Sequence, residues 1–336
     1  MTAPSPAARG CVALTGATGF VGGHLLRRLL AEGWQVRALA RRPGALAEKL
    51  PEGAAVSLVP GDLESESALA ELVAGSDAVV HCAGLVAARS AAEFRRANAE
   101  STARLAAAAG AQSASGSVPG SAPVSGDRRR FLLISSLAAR EPQLSPYAAS
   151  KREAEAALER GAAALDWQAL RPPVVYGPGD RATLPLFRQF ARGMVLRPAG
   201  AGRFSMLYVE DLAAAVAGLL NQDAPQGAIL ALDDGRPGGY GWPEVLATAE
   251  AQLKRRVRGV PVPRALQRLA AAAGELGAAV TGRPAMLTQG KVNEIGHPDW
   301  VCHPPLLGDC ISWRPAVGLD EGFSRTFAWY KAAGWL

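Results

Sequence analysis

The chain has 336 residues and a net charge of +6, with 49% hydrophobic and 20% charged residues, enough for one large or two modest domains around a substantial core. The basic residues are scattered rather than gathered into an aromatic-interleaved run, which argues against a nucleic-acid surface and leaves small anionic molecules as partners. No apolar stretch is long enough to span a bilayer, the first ten residues lack a signal-peptide core, and four unevenly spaced cysteines suggest no disulfide framework, so a cytoplasmic protein is expected.

Residues 1–10 read as a flexible tail. "CVALTG" then reads as a short buried strand, and "FVGGHLLRRLLAEG" as a helix closing at Gly33. "WQVRALA", "AAVSLVPGDL" and "DAVVHCAG" supply three more strands. "AAEFRRANAESTARLAAAAG" is helical, "RRFLLISS" is a fifth strand, and "WQALRPPVVYG" reads as a sixth with a proline-bounded end. Between that helix and the fifth strand, residues 110–127 are small, polar and rich in Gly and Pro, the composition of a mobile surface loop. Strands rich in Val, Leu and Ile that alternate with helices imply a parallel sheet covered on both faces. From about residue 174 the alternation loosens into a smaller, helix-rich part, 174–336, on the side where a substrate would lie.

Gly16, Gly19 and Gly22 stand at G-x-x-G-x-x-G spacing between the first strand and the first helix. Gly16 permits the tight turn, Gly19 the approach of backbone to a pyrophosphate, and Gly22 the close packing of helix on strand. The amide groups at that helix start point at the phosphates, which makes residues 11–173 a Rossmann-type, doubly wound NAD(P)-binding domain. Strand two runs out into Ala40, Arg41 and Arg42 with no acid to meet a ribose 2′-hydroxyl. An arginine there suits a 2′-phosphate, so NADP(H) is favoured with NAD(H) as the alternative. Asp62 and Leu63 close the third strand where an adenine would rest, and Ala83 and Gly84 end the fourth, where small residues make room.

"LSPYAASKREAEAALER" carries a cap at Ser145, a proline suited to a first turn, and Tyr147 and Lys151 one turn apart on a shared face. Together with "TGATGFVG", "GDL", "VVHCAG", "NAEST", "LLISS" and "LRPPVVYGPG", it resembles the extended short-chain dehydrogenase/reductase family, often labelled NAD-dependent epimerase/dehydratase. The resemblance implies that Thr18, Phe20 and Val21 join the glycines around the cofactor. It implies that Tyr147 exchanges a proton with the substrate oxygen, and that Lys151 holds the nicotinamide ribose and lowers the tyrosine's pKa. It further implies that Ser136 hydrogen-bonds the reacting oxygen, with Ser135 as the fallback, and that Asn98 matches the family's structural or assisting asparagine. Homodimers are common in the family.

His297, Cys302, His303 and Cys310 lack the paired short spacings of structural zinc, so no metal is expected. No G-x-S-x-G elbow suggests a hydrolase. Three functions remain. The first is an oxidoreductase acting on a carbonyl or alcohol of a small molecule; "MLTQGKVNEIGHPDW" is loosely similar to sterol- and hopanoid-associated members. The second is a sugar-nucleotide epimerase or dehydratase, whose diphosphate would meet Arg181, Arg188, Arg192, Arg197 or Arg203. The third is a cofactor-sensing binding protein, a class whose members often lose the tyrosine or lysine kept here.

Overall fold

The computed structural model describes residues 9–48, 50–113, 128–200, 202–281, 285 and 287–336. Residues 1–8 of the expected tail and 114–127 of the expected loop lie outside these. The first six strands are β1 (Cys11–Thr15), β2 (Gln35–Ala40), β3 (Val56–Pro60), β4 (Ala78–His81), β5 (Arg129–Ile134) and β6 (Leu165–Arg171). With the strand Ala228–Ala231 they form one parallel sheet in the order Ala228–Ala231, β6, β5, β4, β1, β2, β3. The chain turns in opposite directions from β1, to β2 on one side and later to β4 on the other. A crevice opens beyond the carboxyl ends of strands at such a reversal.

Both faces of the sheet are covered. On one, Leu25 and Leu29 of the helix Phe20–Ala31 meet Leu212 and Val216 of the helix Val209–Asn221. On the other, Leu72, Leu105 and Leu158 come from the helices Glu66–Val73, Ser101–Ser113 and Pro146–Gly161. The continuous apolar strands follow from this, since a parallel strand between two helical layers has no face for water.

Two segments differ from the simple reading. The expected sixth strand breaks at Pro172–Pro173, because proline cannot donate to a ladder. Its second piece, Val174–Tyr176, pairs instead with Met206–Tyr208. The helical stretch from Ala91 carries a six-residue π-turn, Arg95–Glu100, before the α-helix Ser101–Ser113. Beyond residue 174 the helix-rich part holds three two-stranded parallel sheets among the described residues. Its core is aromatic: Tyr176, Phe187, Phe190, Phe323, Phe327 and Tyr330 are all buried together.

Gly322, in the helix Leu319–Ala332, permits the closest approach in that core, since a Cβ there would stand 2.1 Å from the Tyr176 hydroxyl. Gly322→Ala should lower unfolding stability by about 1–3 kcal/mol, overpacking outweighing the gain in helix propensity. An unchanged urea midpoint would contradict this packing.

Candidate active site

Gly16 leaves β1 with φ +78°, and a Cβ on it would lie 2.7 Å from the Ala83 amide nitrogen. The Gly19 amide closes the turn on the Gly16 carbonyl at 2.9 Å. At Gly22 a Cβ would come within 2.0 Å of the same carbonyl, so any side chain would push the helix start off the strand. This cradle fits a dinucleotide's phosphates: first-turn amides without an intrahelical acceptor, glycines at the turn, and a favourable helix dipole.

A cavity of about 550 Å³ opens there. Gly16, Thr18, Gly19, Arg41, Asp62, Leu63, Ala83 and Gly84 are among the residues that line it. Arg42 instead begins the short helix Pro43–Ala47. Phe20 and Val21 turn their side chains elsewhere, Phe20 edge-on against His24 and Val21 onto the core. The Asp62 carboxylate accepts the Glu64 and Ser65 amides at 2.9 and 3.1 Å and so holds its own turn. A Cβ on Gly84 would stand 2.8 Å from Asn98 Oδ1 and 3.4 Å from Lys151 Nζ, which is why this wall must be small.

At the reversal point Thr15 and His81 face each other across β1 and β4. The Thr15 hydroxyl accepts the Ala83 amide at 3.2 Å and reaches His81 Nδ1 at 2.7 Å. Burial, with the Lys151 ammonium nearby, pushes the His81 pKa down to about 3, so the imidazole is neutral and shares its Nδ1 hydrogen bond with the Thr15 hydroxyl. No local pattern in the sequence marks this pair, because its two members lie 66 residues apart.

The helix Pro146–Gly161 starts as read: Ser145 accepts the Ala148 amide at 3.0 Å and Pro146 fills the first turn. Tyr147 sits against Phe94, ring centroids 5.9 Å apart. Burial pushes its phenol up to about 12, while a hydrogen bond with Ser136 pulls the other way and the Glu294 carboxylate adds to the rise. The phenol therefore carries its proton at neutral pH. Lys151 is buried, its pKa lowered by that burial, and its Nζ donates to the Ile134 carbonyl at 2.9 Å.

The two serines have separate tasks. Ser135 donates to the fully buried Glu155 at 2.6 Å, and Arg171 clamps the same carboxylate at 2.8 and 2.6 Å. Ser136 instead faces Tyr147, and its hydroxyl accepts the Ala138 amide at 3.2 Å, capping a 3-10 turn over Leu137–Arg140. Asn98 lies in the π-turn, where it donates to Ser150 Oγ at 2.9 Å and to the Leu85 carbonyl at 3.1 Å while accepting the Leu85 amide at 2.8 Å. The extra residue of a π-turn re-aims a side chain, and here it aims Asn98 at the helix of Tyr147 and the β4 exit together.

The C-terminal part roofs this cluster. Ser145 donates to the Glu294 carboxylate, which Lys291 also meets at 2.9 Å. Arg140 stacks over Trp300 at 5.7 Å and donates to the Val301 carbonyl at 2.8 Å. Glu294 carries no signal in the sequence, because nothing beside it in "KVNEIG" marks a carboxylate whose partner is 149 residues away. Of the zinc-like residues, His297 packs on Trp300 and His303 meets the Asp299 carboxylate, whose carbonyl lies 3.0 Å from His297 Nδ1, while Cys302 donates to the Leu232 carbonyl.

A family model described as the NAD dependent epimerase/dehydratase family matches residues 12–231. The chain belongs to this family. Within the wider set of epimerase/dehydratase-like proteins, it is similar to the ceramide reductase of Caulobacter vibrioides (strain NA1000 / CB15N), 38% identical over 332 residues that cover 98% of this chain and 97% of that one. It is also similar to the 2-alkyl-3-oxoalkanoate reductase of Stenotrophomonas maltophilia (strain K279a), 32% identical over 213 residues, 61% of this chain and 63% of that one. Of solved structures, a Thermus thermophilus UDP-glucose 4-epimerase complex with NAD superposes with a TM-score of 0.68 at 22% identity, over 96% of this chain and 99% of that one. At that identity the likeness is one of fold. The family is an enzyme family of nicotinamide-dependent oxidoreductases and epimerases, which agrees with the dinucleotide cradle. Among the described residues no helix is long and apolar enough to cross a membrane.

If Glu155 secures the helix rather than the chemistry, Glu155→Ala should cost about 3 kcal/mol by stranding Arg171 and Ser135, whereas Ser135→Ala should cost about 1 kcal/mol. Chemical denaturation measures both, and equal small losses would contradict the arrangement.

Proposed function

We propose that the protein is an NADP(H)-dependent reductase acting on a carbonyl of a ceramide-class lipid, with Ser136, Tyr147 and Lys151 as its catalytic residues. The observation that carries this reading is the likeness to a ceramide reductase along 98% of the chain, including the C-terminal part that roofs Tyr147. Bound reduced nicotinamide would supply a hydride to the carbonyl carbon. Tyr147 donates its phenolic proton to the carbonyl oxygen, and the C=O double bond becomes CH–OH. Ser136 orients that oxygen by hydrogen bonding. Lys151, one helical turn along, steadies the tyrosinate left behind and would hold the nicotinamide ribose. A phenol protonated at neutral pH suits the direction of reduction.

Arg41 supports NADP(H), because it lines the cavity directly after β2, which ends in Ala40 with no acid. The sugar-nucleotide alternative draws less support. Arg181 stacks on Trp335, Arg188 donates to the Trp335 carbonyl, and Arg203 is tied to Gly238, Gly239 and Glu244, so these arginines do not converge on Tyr147. A cofactor-sensing role would not call for the kept tyrosine, lysine and serine.

Tyr147→Phe should cut turnover about 10²–10⁴-fold with cofactor binding unchanged in fluorescence titration, and near-normal turnover would remove the proton-donor role. Arg41→Ala should weaken NADPH by about 10–100-fold and NADH far less, since it deletes a charge-assisted contact to the 2′-phosphate. Equal weakening of both would overturn the NADP(H) assignment.

A further inference from the structure

The helix Arg264–Thr281 has two unlike faces. Ala271 is fully buried, and one turn to either side Gln267 donates to the Val262 carbonyl at 2.8 Å and Glu275 accepts the Gln289 amide at 2.8 Å. On the opposite face Leu266, Leu269 and Leu276 are 56%, 69% and 71% exposed, with exposed Ala270 and Ala273 between them. Leucines left in water at helical spacing are unfavourable unless something covers them. The chain leads into this helix through the strand Arg258–Val262, paired with Met194–Pro198, and there Met194, Leu196 and Val260 are exposed too.

Charge decides what covers the surface. From Gln252 to Gly274 the sequence holds Lys254, Arg255, Arg256, Arg258, Arg264 and Arg268 and no acidic residue. All six cations are exposed. The one acidic side chain of the helix, Glu275, is turned inward to Gln289. Arg264 and Arg268 lie on the Ala271 side of the helix, whereas Arg258 shares the exposed strand face with Val260 and follows Lys254, Arg255 and Arg256. This basic strand end beside an apolar surface complements an anionic lipid surface, in which leucines enter the acyl boundary and cations meet the headgroups.

We infer that this helix and the adjoining strand edge dock the protein, in the plane of the interface, on an anionic lipid bilayer. The helix is tied directly to the roof of the active site: Gln289 donates to the Arg268 carbonyl at 2.8 Å, Arg264 donates to Asn293 at 3.1 Å, and Asn293 donates to the Leu144 carbonyl at 3.2 Å. Docking therefore places the roof segment Gln289–Ile295, and Glu294 within it, beside the membrane surface. A lipid substrate would then pass from bilayer to pocket without crossing water. The docking does not depend on which carbonyl is reduced.

The test is co-sedimentation of the full-length protein with vesicles of mixed phosphatidylglycerol and phosphatidylcholine, against phosphatidylcholine alone. Binding should be about tenfold or more tighter to the anionic vesicles and should fall with added salt. The triple variant Leu266→Glu/Leu269→Glu/Leu276→Glu should lose about tenfold or more of that binding while keeping its thermal unfolding midpoint and its turnover of a water-soluble ketone. Lys254→Glu/Arg256→Glu/Arg258→Glu should lose it as well. No binding by the unaltered protein, or equal binding by the leucine variant, overturns the inference. So does a dimer in sedimentation velocity that the leucine variant dissolves, since a second copy would then be the cover.

Discussion

The fully buried carboxylate of Glu155 is the contact on which the site geometry depends. It joins three elements: the helix that carries Tyr147 and Lys151, the end of β5 through Ser135, and the end of β6 through Arg171. A buried charge is costly unless it is paired and hydrogen-bonded, so the three elements hold one relative position. Ser136 and Tyr147 follow from it, because the residue after Ser135 is carried to the phenol by the same clamp. The pair of serines that looks redundant in the sequence is a division of labour, one anchoring the helix and the next facing Tyr147.

The dinucleotide end rests on a second constraint, the closeness of the Phe20–Ala31 helix to β1. With a Cβ at Gly22 excluded by the Gly16 carbonyl, the helix starts against the strand end and presents bare amides to the crevice. Thr15 then links that strand to β4 through His81 and the Ala83 amide. The reversal point of the sheet is thus hydrogen-bonded on the side where the cofactor would lie, and Gly84 leaves the space that Lys151 and Asn98 border.

Much of this was legible in the sequence because it is local. The glycine spacing, the Ser145 cap, the proline in the first turn and the four-residue separation of Tyr147 and Lys151 each act within about two helical turns, where pattern and propensity carry their meaning directly. The π-turn was not legible: Arg95–Glu100 has an ordinary helical composition, and its extra residue is stabilised by Asn98 reaching Leu85 and Ser150. The break after Arg171 was readable as a proline boundary, but not the new partner Met206–Tyr208. Glu294 and Arg140 lay beyond reach for the same reason, since their contacts join segments about 150 residues apart whose meeting depends on the whole C-terminal part.

In the proposed reaction hydride leaves the cofactor for good and arrives on a lipid carbonyl, rather than leaving and returning to one sugar. Its most direct measurement follows deuterium from NADPH labelled at the transferred nicotinamide position, with a carbonyl-bearing ceramide as substrate and mass spectrometry of the product. Lipid reduction should leave one deuterium on the new carbinol carbon for each NADPH oxidised. No lipid deuteration, together with turnover of a UDP-sugar without net cofactor oxidation, would contradict it.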